Sequence, residues 1–189
     1  MATRRWVEDA LQALRESLHP VPAELNELDW KAALSPQRDR LVEHLIALAN
    51  LRNGGTLACG IDDHGRAVGV DAVVVADTVN HLANLGRDAV DPPLVIDHAV
   101  VEFGGASVLL VHVPESPVKP AHRRGRPLEE AWIRSGGTTR RASRQEVGAL
   151  MLDSSPPRWE QQRASALLPL DEVRQLLDLS AVVSLLQRP

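Results

Sequence analysis

The sequence predicts an α+β fold, a mixed β-sheet flanked by helices, and three observations carry that expectation. Apolar residues recur at helical spacing in Val7, Leu11, Leu14 and Leu18, in Leu41, Leu45, Leu48 and Leu51, and in Val75, Val79, Leu82 and Leu85. Between and after them lie short β-rich runs joined by glycine-bearing turns, Asp62-Asp63-His64-Gly65 and Gly104-Gly105. Helix and strand signals follow one another irregularly, which argues for a mixed layer arrangement over a regular βαβ repeat.

Taken in order, the first helix ends at His19-Pro20-Val21-Pro22, because proline has no N–H to continue the ladder. Leu28, Trp30 and Ala32 alternate with Asp29 and Lys31, the period of a strand with one polar face. Ser35-Pro36 supplies an N-cap and first-turn signal for the second helix, and Asn53-Gly54-Gly55 closes it. Thr56 to Ile61 and Arg66 to Val70 then read as a hairpin about the aspartate turn. After the third helix, residues 93–103 and 106–113 form a second hairpin whose later strand is apolar enough to be central. Glu130 to Arg134 is a short strand, and Ser143 with Glu146 is a capping box opening a helix through Leu152. Pro156-Pro157 marks a boundary, beyond which residues 154–189 form a short helical extension.

Size and composition narrow the function. A chain of 189 residues, 44% hydrophobic, can bury one sizeable core. Its single cysteine, Cys59, rules out a disulfide framework and a thiolate metal cluster, which favours the cytoplasm. The N-terminus is too polar for a secretory h-region, and nothing approaches the roughly 18 apolar residues that span a bilayer, so a soluble protein is expected. The formal net charge is -4. Against that background, Lys119, Arg123, Arg124, Arg126, Arg134, Arg140, Arg141 and Arg144 stand in one segment with only Glu129 and Glu130. Aromatic content of 3% leaves no base-stacking platform.

Several motifs admit two readings. Glu24, Asp29 and Lys31 are the materials for holding a divalent metal and a phosphate, or simply a solvated strand face. In one extended strand the two carboxylates would face opposite ways roughly 17 Å apart, so they meet only if the chain bends near Glu24, where Pro22 permits it. Asp62 and Asp63 serve either a turn, where aspartate bonds its own backbone, or a metal. Ser135 to Arg141 combines backbone amides, the hydroxyls of Thr138 and Thr139, and guanidiniums, suited to phosphodiester oxygens or to a plain flexible loop. No Walker-type G-x-x-x-x-G-K-[ST] loop occurs, so no ATP site is identified, and the scattered histidines make no zinc pattern.

Four stretches together, E-x-x-x-L-D-W-K at Glu24 to Lys31, the helix ending ALANLRNGG, the run LACGIDDHGRAVGV, and WIRSGGTTRRAS before a helix, resemble the Schlafen AlbA-like domain. The resemblance covers roughly residues 22 to 153, leaving residues 1–21 as an N-terminal helix. This family is often labelled a DNA-binding or ATP-binding regulator, and its RNA-cutting members use two acidic residues before the first long helix and one at the aspartate turn. Carried to matching positions, the resemblance implies Glu24, Asp29 and Asp63 as ligands of Mg²⁺ or Mn²⁺ and as catalytic residues, with Lys31 matching the family lysine. Leu25, Asp29 and Trp30 depart from the family's serine, glutamate and phenylalanine. Arg123, Arg124, Arg126, Arg134, Thr138, Thr139, Arg140 and Arg141 are the expected contacts to tRNA, rRNA or DNA. Schlafen cores contain two such lobes, so a homodimer is implied. The expected function is nucleic-acid backbone recognition, with metal-dependent RNA cleavage if the acidic trio converges. The alternative is a noncatalytic transcription-regulatory or protein-interaction module.

Overall fold

At the centre of the computed structural model, which describes residues 4–153, lies a four-stranded mixed sheet. Its elements arrive in the order α1 (Arg5–Leu18), β1 (Leu28–Lys31), α2 (Arg38–Ala49), β2 (Gly55–Cys59), α3 (Ala72–Ala89), β3 (Val90–Asp91), β4 (Asp97–Phe103) and β5 (Ala106–Val113). There follow β6 (His122–Arg123), a single 3₁₀ turn at Leu128–Glu130, β7 (Trp132–Ser135), β8 (Thr138–Arg141) and α4 (Arg144–Asp153). The strand order is β1-β2-β5-β4, with β1 parallel to β2 and the other neighbours antiparallel. The mixed sheet flanked by helices is therefore as expected. The described residues 4–153 fall in one compact unit, and the expected helical extension over 154–189 lies outside them.

Two apolar layers hold the sheet. On one face Val7, Ala10, Leu14 and Leu18 of α1 meet Leu28, Trp30, Ala58, Val108 and Leu110. On the other, Leu41, Leu45, Leu48, Leu82 and Leu85 of α2 and α3 meet Leu57, Cys59, Leu109, Val111 and Val113. The strict alternation of β2 and β5 between these layers follows from the period-two side-chain geometry, and both strands are buried on both faces. Each fully buried Leu or Val here contributes about 1.5–3 kcal/mol by leaving water. Helix α1 is thus part of the same core, not an N-terminal addition to it.

Three expectations are corrected. Helix α2 begins at Arg38 after Gln37, and Ser35 accepts a 3.2 Å hydrogen bond from the Gln37 N–H ahead of it, so Ser35-Pro36 shapes the approach rather than capping the helix. The run Arg66 to Val70 does not become a strand. It keeps one bridge, Ile61 to Ala67, and then crosses to β5, where the Val70 N–H reaches the Ser107 carbonyl at 2.8 Å. The segment 138–141, considered as a flexible loop, is a strand paired with β7 in a tight hairpin.

That hairpin is tied down by long-range polar contacts. Buried Asn50, just past α2, donates to the carbonyls of Ala121 and Trp132 at 2.9 Å each and accepts from the Ala121 N–H at 2.7 Å. Gly137 has φ +78°, and a Cβ there would lie 2.5 Å from the Glu24 carbonyl oxygen, so only glycine lets the hairpin turn sit against the 24–26 segment. Its N–H donates to Asn26 Oδ1 at 3.1 Å.

Candidate nucleic-acid interface

The chain between Glu24 and β1 bends at Asn26 and Glu27, not at Pro22. Glu24 lies before β1 and Asp29 within it, yet both carboxylates reach Lys31, at 2.5 Å from Glu24 and 2.8 Å from Asp29. Arg134 of β7 closes the group from the other side, 3.3 Å from Glu24 and 3.1 Å from Asp29. Its guanidinium also donates to the carbonyls of Leu25, Leu28 and Gly137 at 3.0, 3.3 and 2.6 Å. His44 on α2 places Nδ1 2.6 Å from Asp29 and 3.2 Å from the Thr139 hydroxyl. Asp29 and the Arg134 side chain have no solvent exposure, whereas Glu24 and Lys31 reach the surface, so a network of two carboxylates and two cations runs from the interior to the cleft.

Electrostatics follow from that packing. Burial alone would raise the Asp29 pKa, but the close approach of His44, Lys31 and Arg134 outweighs it and holds the carboxyl far below the usual range. Burial would lower Lys31, and the Asp29 and Glu24 carboxylates raise it above its ordinary value instead. The thiol of Cys59, the last residue of β2, is pushed up to about 12 by burial and by the Asp29 charge, which disfavours the thiolate.

These residues do not fit a divalent metal. Each carboxylate of the pair already faces Lys31 and Arg134, and a divalent cation would meet the positive charge of both. Asp63 is exposed on its turn, while Asp62 closes that turn by accepting from the His64 and Arg66 N–H groups at 2.9 Å each and pairing with the Arg66 side chain. Among the described residues no three His, Cys, Asp or Glu side chains are grouped to hold a metal. Glu24, Asp29 and Lys31 therefore meet, and among the described residues no contact joins Asp63 to them.

The expected phosphate contacts divide in the same way. Arg134 is buried with its guanidinium held by the network at the wall of the cleft, and Thr139 is buried with its hydroxyl against Arg134 and His44. Arg123 is anchored to Asp39 at 3.1 Å and Glu43 at 3.8 Å, both on α2. Arg140 pairs with Glu146 at 2.7 Å, and exposed Arg141 donates to the Glu129 carbonyl at 2.9 Å. Arg124, Arg126 and Thr138 are exposed.

Above the buried network opens a cleft of about 400 Å³ lined by Lys31, Ser35, Arg40, His44, Thr138 and Glu24 among others. Sequence reasoning missed Arg40 and His44. Both lie on α2 beside its apolar stripe of Leu41, Leu45 and Leu48, and a single arginine or histidine on a helix carries no signal of its own. Only the docking of the β7–β8 hairpin turns that flank of α2 into a cleft wall.

The fold and its cleft define an α+β domain that clamps a buried ion network between a sheet edge and a β-hairpin. The chain belongs to the Schlafen, AlbA_2 family, whose model matches residues 24–143. It is also similar to the N-terminal domain of a RecG-related protein, an ATP-dependent DNA helicase by name, from Nitrosomonas europaea. That likeness has 24% identity and a TM-score of 0.50 over 71% of this chain and 93% of the other. A protein of Corynebacterium diphtheriae is 20% identical with a TM-score of 0.49 over 87% of this chain, which spans 30% of that one's length. No curated protein matches the chain. Among the described residues no helix is long and apolar enough to cross a membrane.

Proposed function

We propose that this domain binds nucleic acid by its phosphodiester backbone, through the α2 cleft and the adjoining Arg124–Arg126 turn, as a recognition module and not a metal-dependent nuclease. The observation that carries this reading is the cleft lining. Lys31 and Arg40 are part-exposed, at 39% and 47%, and stand beside the hydroxyls of Ser35 and Thr138 with a single carboxylate, Glu24. Such donors suit phosphate oxygens without reading bases. Arg123 fastens the neighbouring turn to the same helix, so Arg124 and Arg126 extend the positive surface. Family membership supports the same class of partner. Beneath the cleft, the Glu24 and Asp29 carboxylates keep Lys31 charged and fixed in place.

The test is fluorescence anisotropy of the purified protein with labelled tRNA and with duplex DNA across a salt series, with Mn²⁺ or EDTA, followed by denaturing gels. Binding should weaken steeply with salt. A combined Arg40→Ala/Arg124→Ala/Arg126→Ala variant should bind at least about tenfold more weakly, with a salt slope shallower by roughly one for each phosphate it no longer neutralises. EDTA should change neither binding nor RNA integrity. Unchanged binding by the triple variant would overturn the reading. Mn²⁺-dependent RNA cleavage that disappears in an Asp29→Asn/Asp63→Asn variant would replace it with a nuclease.

A further inference from the structure

Strand β4 is the outermost strand of the sheet, and among the described residues nothing pairs with its outer edge. It is seven residues long and keeps unbroken register with β5, from Asp97 opposite His112 to Phe103 opposite Ala106. The direction of its free backbone groups can be read from two contacts. The His98 N–H donates to its neighbour Asp97 Oδ1 at 2.8 Å, and the His98 carbonyl accepts from Arg4 at 3.4 Å, so the His98 peptide groups face away from β5. By the two-residue period of a strand, those of Val100 and Glu102 face the same way. Side chains of these three residues are exposed, with Val100 50% exposed, whereas Asp97, Ala99, Val101 and Phe103 turn toward the α1 layer.

An exposed, regular edge of this kind is a template for another strand unless charge or covering prevents it. Here the side chains make the edge self-complementary, a ring N–H donor at His98 and an acceptor at Glu102. We propose that two copies of this chain join β4 to β4, antiparallel, about a two-fold axis through Val100. In that register Val100 opposes Val100 of the second copy, and His98 opposes Glu102 in both directions. Up to about six N–H···O bonds form, the outer ones replacing the Arg4 and Asp97 interactions at His98. Registers centred on His98 or Glu102 set two like polar side chains opposite one another, and those centred on Ala99 or Val101 set a polar side chain against Val100. The chemistry of the strand therefore selects one pairing, and the partner it fits is the same strand in a second copy.

Sedimentation velocity and light scattering on the full chain test this. The wild type should run at twice its 20.6 kDa mass at high micromolar concentration. Glu102→Lys alone and His98→Glu alone should each weaken self-association about fivefold to tenfold, and the double exchange His98→Glu/Glu102→Lys should restore it. A Val100→Cys variant should form a disulfide-linked dimer on oxidation, since directly opposed residues of a hydrogen-bonded pair lie about 5.5 Å apart between Cα atoms. A Val118→Cys variant, exposed elsewhere, should not. Far-UV circular dichroism checks that every variant folds. A monomeric wild type, a double exchange that fails to rescue, or Val100→Cys linking no faster than Val118→Cys would each overturn the proposal.

Discussion

Two acidic pairs of this molecule, Glu24 with Asp29 and Asp62 with Asp63, carry the same kind of side chain and have opposite fates. The first lies in a packed junction of β1, α2 and β7, where two permanent cations share it and Asp29 is sealed from solvent. The second stands at an exposed turn, where Asp62 bonds its own backbone and a neighbouring arginine. A carboxylate in water interacts weakly with its neighbours, and the same group buried among charges becomes a structural constraint. The difference therefore lies in what the fold packs against each pair.

The largest break in this comparison should come from Arg134→Met, which leaves Asp29 and Glu24 short of a cation and three carbonyls short of a donor. Urea denaturation should show a loss of about 3–5 kcal/mol. Asp29→Asn should cost somewhat less, about 3 kcal/mol near neutral pH, because the shape is kept and only the charge is removed. It should also alter acid behaviour. Because folding depresses the Asp29 pKa, its stabilisation is complete above the ordinary carboxylate value of about 4 and drains away as pH falls below it. Thermal melts from pH 7 down to pH 2 should fall more steeply for the wild type than for Asp29→Asn.

A hydrogen-bonded surface site should lie between the extremes. Ser143 caps α4, its hydroxyl accepting from the Glu146 N–H at 3.3 Å while Glu146 accepts from the Ser143 N–H at 2.9 Å. Ser143→Ala should lower stability by about 1 kcal/mol in the same urea assay. Smallest of all, Asp63→Asn at the exposed turn should leave the denaturation midpoint within error. If it instead matched Asp29→Asn, the contrast between the two acidic pairs would fail.

Much of the architecture was legible because it rests on local periodicity. The stripes of α1, α2 and α3, the Gly104-Gly105 hairpin, the central apolar β5 and the Ser143–Glu146 capping box all stand as the pattern predicted. Errors fell where a local signal had a distant competitor. Arg66 to Val70 has the composition of a strand, yet its Val70 N–H goes to Ser107 in β5. Ser135 to Arg141 has the composition of a loop, and becomes a hairpin once Gly137 docks on Asn26.

The sequence by itself determined the class of fold and the supply of carboxylates and guanidiniums, because hydrophobic period, turn chemistry and charge inventory are properties of neighbouring residues. Only the tertiary structure decided which guanidinium meets which carboxylate. It engaged Arg134, 105 positions beyond Asp29 by their numbers, with that carboxylate and brought Arg40 and His44 to the cleft beside it. Ion-pair energy depends on distance and burial, and for residues so far apart in the chain both are set by how the layers pack.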